Sequence, residues 1–313
     1  MKKYAQIVNL NIVFGDDEKP MLDFFDTVIY PVFSSNMKKI SSGNEYFFKN
    51  VEILEDDENI FFLSGQFVKK TMLEVKSDIN EKGELIETDE KYSSAPYSSF
   101  VVNLMNHRMI YVPNQKGSPT IANFRSTLKY VIRDYIKEKN KDVDEEYKIP
   151  EALVNVVGIP SRKTMDEILK DVDKINKLTL RFYPLNGDIQ LEEAFNMIAV
   201  DMRRTVDSKR GEVVFRSPKS IEGVRSLLEE AGGTINPILH VTTKDQNKAT
   251  LKEDEFAEKC ELDINDDLDL DEEGLQIIKK MSTNDKFNYT NDSHQDIYKK
   301  NRSKIIPFIH RRR

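Results

Sequence analysis

The chain has 313 residues, 47 of them basic and 54 acidic, for a net charge of −7, and 39% are hydrophobic. That length accommodates two domains with cores of their own, and the hydrophobic fraction excludes a disordered chain. A single cysteine excludes internal disulfides and Cys-cluster metal sites. No apolar run approaches the roughly 18–20 residues that span a bilayer, so a soluble, cytoplasmic protein is expected.

In chain order, the opening MKKYAQIVNLNIVF is interrupted by Gln6, Asn9 and Asn11. It reads as a strand over Ile7–Phe14 rather than a signal peptide. Leu22–Val32 carries apolar residues at the spacing of a short amphipathic helix. Strand-like runs follow at Tyr46–Leu54, Ile60–Val68 and Thr71–Lys76. A hairpin turn at Lys82-Gly83 returns through Glu84–Thr88. Ser99–Met105 and Met109–Val112 meet at Asn106-His107-Arg108. Successive strands with short turns favour an antiparallel sheet. The next helix shows Ile121, Phe124, Leu128, Val131, Ile132 and Tyr135 on one face, with Ser118 as N-cap and Pro119 at the first position.

KEKNKDVDEEYKIP, polar and ended by Pro150, reads as a linker. Beyond it come a strand at Leu153–Val157, a capping box at Thr164–Glu167 and a strand at Lys177–Tyr183 with Leu178, Leu180 and Phe182 on one face. A helix capped by Asp188 follows, with Leu191, Ala194, Phe195, Ile198 and Met202 as its apolar face. Then come a strand at Glu212–Arg216 and a helix from Ser217-Pro218 to Gly232-Gly233. Strands at Ile235–Thr242 and Phe256–Ile264 complete the series. The expected class is α+β. Residues 1–140 form an antiparallel-sheet domain closed by a long helix, 141–150 a linker and 151–281 a mixed α/β domain, either ferredoxin-like or an open mixed sheet. Residues 282–313 read as a mobile or partner-dependent tail, polar and then basic.

The chain has no phosphate-cradling loop, dinucleotide fingerprint, GxSxG elbow or HExxH. His107 in a turn, His240 in a strand and Cys260 beside acids read as structural, the cysteine as an inert thiol. Asp263-Ile264-Asn265-Asp266-Asp267 resembles the start of a calcium loop, but Leu268 stands where glycine is demanded and Gly274 where glutamate is. One catalytic constellation is conceivable. Glu74-Val75-Lys76 on a strand, with Asp56 or Asp57 upstream, has the residue types of PD-(D/E)xK nucleases, where carboxylates hold a divalent metal such as Mg and the lysine positions water. The competing reading is an ordinary solvated hairpin.

Basic residues are better organised. Arg125, Lys129, Arg133 and Lys137 recur every fourth residue along one helix flank, able to meet successive phosphates or simply to face solvent. Arg203 and Arg204 suit a helix C-terminus structurally, while Lys209 and Arg210 lie in the turn beyond. From Lys299 to Arg313 there are seven basic residues and no acid, whereas Leu251 to Glu273 holds twelve acids against two lysines. The tail, with Lys300, Arg302, Arg311, Arg312 and Arg313, could fold back on that acidic segment or grip nucleic acid, or the acidic segment could imitate nucleic acid. Ile305, Ile306, Phe308 and Ile309 suggest that it docks in a protein groove.

The phrases FFLSGQFVKKTMLEV, APYSSFVVNLMNHRMIYV with GSPTIANF, and LRFYPLNGD resemble uncharacterised bacterial proteins found beside anti-phage defence genes, over residues 40–245. The resemblance brings no catalytic residues. It implies a defence component acting with partner proteins or on phage nucleic acid. The expectation is therefore a non-enzymatic component, without cofactor, that binds DNA or RNA or a partner protein. A metal-dependent nuclease and a phage or mobile-element assembly protein are the alternatives.

Overall fold

A computed structural model describes residues 2–185, 197–264 and 270–309. Among the described residues fourteen strands form two sheets, and every ladder is antiparallel. The chain is mixed α and β, dominated by a large curled sheet. The first part of the helix expected after Asp188 (Leu191, Ala194, Phe195), the segment Asn265-Asp266-Asp267 with Leu268, and the terminal His310, Arg311, Arg312 and Arg313 lie outside the described residues. The end of that helix is described as a helical turn over Met197–Met202, and Met202, expected on its apolar face, is exposed.

The large sheet runs β14 (Lys259–Asp263), β1 (Lys2–Phe14), β8 (Arg108–Pro113), β7 (Tyr97–Asn103), β5 (Phe61–Ile79), β4 (Asn44–Glu55), β3 (Lys38–Ser41). β2 (Lys19–Pro20) and β9 (Ala152–Gly158) also pair with β1, and β6 (Leu85–Ser94) pairs with β5. β1 is the organiser. Its first half pairs with β14 and its second half with β9, while Gln6–Asn9 pair with β8. Strands from both sides of the expected linker thus join one sheet. The reason is that β1 is apolar on both faces. Val8, Leu10, Ile12 and Phe14 enter one core, and Ala5 and Ile7 enter another.

The first core lies inside the curl. It is filled by the helical turns Met21–Phe24, Phe25–Ile29 and α1 (Tyr30–Ser34), by α2 (Ile121–Lys139), and by Tyr298 and Ile305 of the tail. Phe124 of α2 is its aromatic hub, with ring centroids 5.3 Å from Phe48, 5.4 Å from Phe67 and Phe100, and 5.8 Å from Tyr111. α2 begins two residues later than expected. Ser118 is occupied in the preceding turn, donating to the Tyr97 carbonyl (2.7 Å), so Thr120 and Asn123 form the capping box.

The small sheet has the order β11 (Gly211–Arg216), β10 (Val172–Phe182), β12 (Asn236–Thr243), β13 (Lys248–Lys252). It packs on α3 (Arg162–Leu169) and α5 (Ile221–Glu230), and the short turn α4 (Arg203–Thr205) precedes β11. α5 spans from β11 over β10 to β12, giving one split β-α-β crossover. A ferredoxin-like layer interlocks two, so the series β-α-β-α-β-β departs from that expectation. The helix caps are Ser161 and Ser220, three residues before Thr164 and three residues after Ser217, where they were expected.

The tail is built in rather than loose. α6 (Glu253–Phe256) precedes β14, and then α7 (Leu270–Met281), α8 (Asp285–Asn288) and α9 (Asp292–Ile305) follow. Ile277, Ile278, Met281 and Phe287 cover the outer face of the large sheet. Gly274 permits this approach, since a Cβ there would lie 2.5 Å from Ser64 Oγ and 2.8 Å from a Leu54 methyl. Beyond α9, Phe308 stacks on Tyr30 with centroids 4.2 Å apart, and Ile309 bridges to Ile53. Of the apolar tail residues, Ile305, Phe308 and Ile309 pack against their own chain, whereas Ile306 is exposed.

Candidate functional site

A concave surface lies between α2 and the small sheet. From α2 it receives Arg125 and Lys129, from β9 Asn155, from β12 Asn236, and from the end of β10 and the turn before β11 it receives Arg181, Tyr183 and Arg210. Its volume is about 340 Å³, and it adjoins a second cavity of about 360 Å³ that shares Arg181, Tyr183 and Arg210.

Local structure explains the convergence. Leu178, Leu180 and Phe182 are buried in the small-sheet core, so alternation turns Arg181 to the opposite face of β10. The ladder places Glu212 and Asn236 directly beside Arg181, forming one row across three strands. Beyond β10, the Pro184 carbonyl accepts a bond from Asn11 Nδ2 of β1 (2.5 Å), which anchors the turn carrying Tyr183. On the floor, the amides of Asn155 and Asn236 bond each other reciprocally at 2.9 and 3.3 Å.

Arg125 ties the two sides together. Its Nη1 donates to the Val156 carbonyl (3.1 Å) and to Glu253 Oε1 (2.6 Å), and Glu253 is almost completely buried. One resource of the cleft is therefore partly neutralised. Arg181 is shared with Glu212 at 3.4 Å. Four cations thus face two carboxylates across both cavities, a positive surplus in a chain whose net charge is −7. Concave low-dielectric walls concentrate such a field. Beside Glu253, burial and the Glu253 charge push the Asp254 carboxyl up to about 6, and its Oδ1 has no hydrogen-bond partner.

Of the basic residues expected from sequence, Arg125, Lys129 and Arg210 meet in this cleft. Arg133 and Lys137 continue the exposed flank of α2, Arg133 lying 5.8 Å over the Tyr130 ring. Lys209 points to Glu151 (3.2 Å) and Asp16 (3.7 Å). Arg203 is buried against Glu18, and Arg204 pairs with Glu18 at 2.7 Å, both holding the β1–β2 turn. Lys300 and Arg302 sit on α9, facing Asp23 (3.8 Å) and Glu55 (3.9 Å), away from the cleft. Arg311, Arg312 and Arg313 are not among the described residues. The acidic segment has inward uses as well, since buried Glu273 accepts from Ser99 (2.7 Å) and faces buried Lys3 (3.4 Å).

The nuclease constellation is not assembled. Asp56 caps the β4–β5 turn by accepting from the Glu58 and Ile60 amides. Glu74 lies thirteen residues beyond Phe61 on β5, roughly 40 Å along the strand at about 3.3 Å per residue. It is exposed and pairs with Lys91 at 3.0 Å, and a ladder irregularity between Val75 and Ser77 breaks the alternation at Lys76. Among the described residues no group of three or more His, Cys, Asp or Glu could hold a metal ion. His107 is buried in a left-handed turn with φ +58°, its amide donating to the Asn103 carbonyl, while His240 Nδ1 meets Thr250 Oγ1 at 3.1 Å. Burial, and then Glu258, push the Cys260 thiol up to about 11.

Sequence reasoning missed Arg181, Tyr183, Asn155 and Asn236. The signal for Arg181 was present, because it lies on the face of β10 opposite Leu178, Leu180 and Phe182. The chain matches no family model and no curated protein. No described helix is long and apolar enough to cross a membrane.

Proposed function

We propose that the chain is a non-enzymatic nucleic-acid-binding component whose binding surface is the cleft between α2 and the small sheet. The observation that carries this is the convergence of Arg125, Lys129, Arg181 and Arg210 from three separate chain segments onto one concavity. Phosphate neutralisation supplies most non-specific nucleic-acid affinity, and such a cluster is its footprint. The exposed flank of Arg133 and Lys137 extends it along α2. We read the molecule as two lobes, one built on each sheet, with the cleft where they meet. The resemblance to proteins beside anti-phage defence genes supports a place in such a system, acting on phage or cellular nucleic acid.

The test is fluorescence anisotropy with labelled DNA and RNA over a salt series, comparing wild type with K129E/R210E. Neither side chain holds the fold together, since Lys129 and Arg210 are both exposed. We expect at least a tenfold loss of affinity and a shallower salt dependence in the double variant. Equal affinity and slope in the two proteins reject the cleft as the binding surface.

A further inference from the structure

The cleft holds groups that simple charge neutralisation does not need. Tyr183 is half-buried and lines both cavities, and each cavity is at the lower end of the few-hundred-Å³ range of small-molecule sites, about the size of one nucleotide. The floor of the first is the buried amide pair Asn155–Asn236. After their mutual bonds, and the longer contact of Asn236 with Glu253 (3.5 Å), Asn155 retains one N–H, and each amide carbonyl retains an acceptor site. Donor and acceptor side by side match the edge of a nucleobase.

Shape decides between forms of nucleic acid. A duplex is read by elements that protrude into its grooves, whereas this site is a recess only a few hundred Å³ in volume. Its bases would have to leave the stack to reach the amides. We infer that the cleft takes an unstacked single strand, two consecutive nucleotides at a time. Tyr183 stacks on a base at the junction of the cavities, Asn155 and Asn236 meet the base edge, and Lys129, Arg181 and Arg210 neutralise the flanking phosphates. This rests on the cleft being a nucleic-acid site, as proposed above.

The test uses the full chain with four labelled probes: dT12, rU12, a 12-mer deoxyribose backbone without bases, and a 20-base-pair duplex. Base stacking on an aromatic ring is worth about tenfold or more in affinity. We expect dT12 or rU12 to bind about tenfold tighter than the abasic strand and tighter than the duplex. Y183A should erase that gap while leaving abasic binding unchanged, and Y183F and Y183W should keep it. Preference for rU12 or for dT12 assigns the sugar and upholds the inference either way. Equal binding of dT12 and the abasic strand, unaltered by Y183A, overturns the inference and leaves a purely charge-driven cleft. No binding of any probe removes the nucleic-acid reading itself.

Discussion

The Arg125–Glu253 pair offers the sharpest internal check, because stability and binding should move in opposite directions when it is broken. Glu253→Gln preserves shape and an acceptor oxygen but removes the charge that holds Arg125. Breaking a fully buried pair costs about 3–5 kcal/mol. Here the Arg125 side chain is 28% exposed and the amide still accepts a bond, so about 1–2 kcal/mol is expected. A chain of 313 residues loses about 1.5 °C of melting temperature per kcal/mol, giving a drop of roughly 1.5–3 °C. Meanwhile the cleft gains one unit of positive charge. At about 8 Å from a bound phosphate and an effective dielectric constant near 20, screened over a Debye length of about 10 Å, that amounts to roughly 1 kcal/mol, or about fivefold tighter binding. The salt slope should steepen by about 0.7 on a single strand. Differential scanning fluorimetry and anisotropy on the same preparation read both. An intact fold with unchanged or weaker binding would refute the claim that charge in this cleft attracts the ligand.

Three further outcomes follow from the geometry. Asp254 keeps its proton to about pH 6 when folded but only to about pH 4 when unfolded, so the folded state binds more protons between those values and stability falls as pH rises through them. Asp254→Asn should match wild type near pH 4 and exceed it by up to about 3 kcal/mol at pH 7.5, as urea denaturation at the two pH values would show; equal stability at both would contradict the burial of this carboxyl. Ile305→Ala, on a fully buried tail residue, should cost about 2–4 kcal/mol, whereas a detached tail predicts no change in the melting curve. Cys260, with its thiol pushed up to about 11, should alkylate far more slowly than free cysteine at pH 7.5 in the folded protein and normally after denaturation.

Much of the local structure was legible because it follows from periodicity. α2 announces itself by its apolar stripe, and Phe124, within that stripe, is the aromatic hub of the core. The single strand β5 was read as two because the polar run Lys69-Lys70 looked like a break, yet no glycine or proline falls between Val68 and Thr71. β13 escaped because a five-residue edge strand with only Ala249 and Leu251 facing inward carries too short an alternation. That strands from both sides of residues 141–150 join one sheet has a longer-range reason. Which strands β1 recruits is a tertiary decision, and Gly158 lets Ala257 of the next layer approach so closely that a Cβ would lie 2.6 Å away. The same limit applies to the site. Sequence displayed the basic flank of α2 and the turn at Arg210, but nothing in it placed them beside Arg181, Tyr183 and the two asparagines. The tail's charge drew attention to Lys300 and Arg302, whose described neighbours are Asp23 and Glu55.

The measurement that bears most directly on the central claim is photo-crosslinking of a bromouridine-substituted single strand to the full chain, followed by peptide mapping. Crosslinks should concentrate on Tyr183 and on the peptides containing Arg125–Lys129 and Arg210, and should fade as salt is raised. Crosslinks confined to the tail beyond Lys299, or to the hairpin of β5 and β6, would contradict the assignment of the cleft as the binding surface.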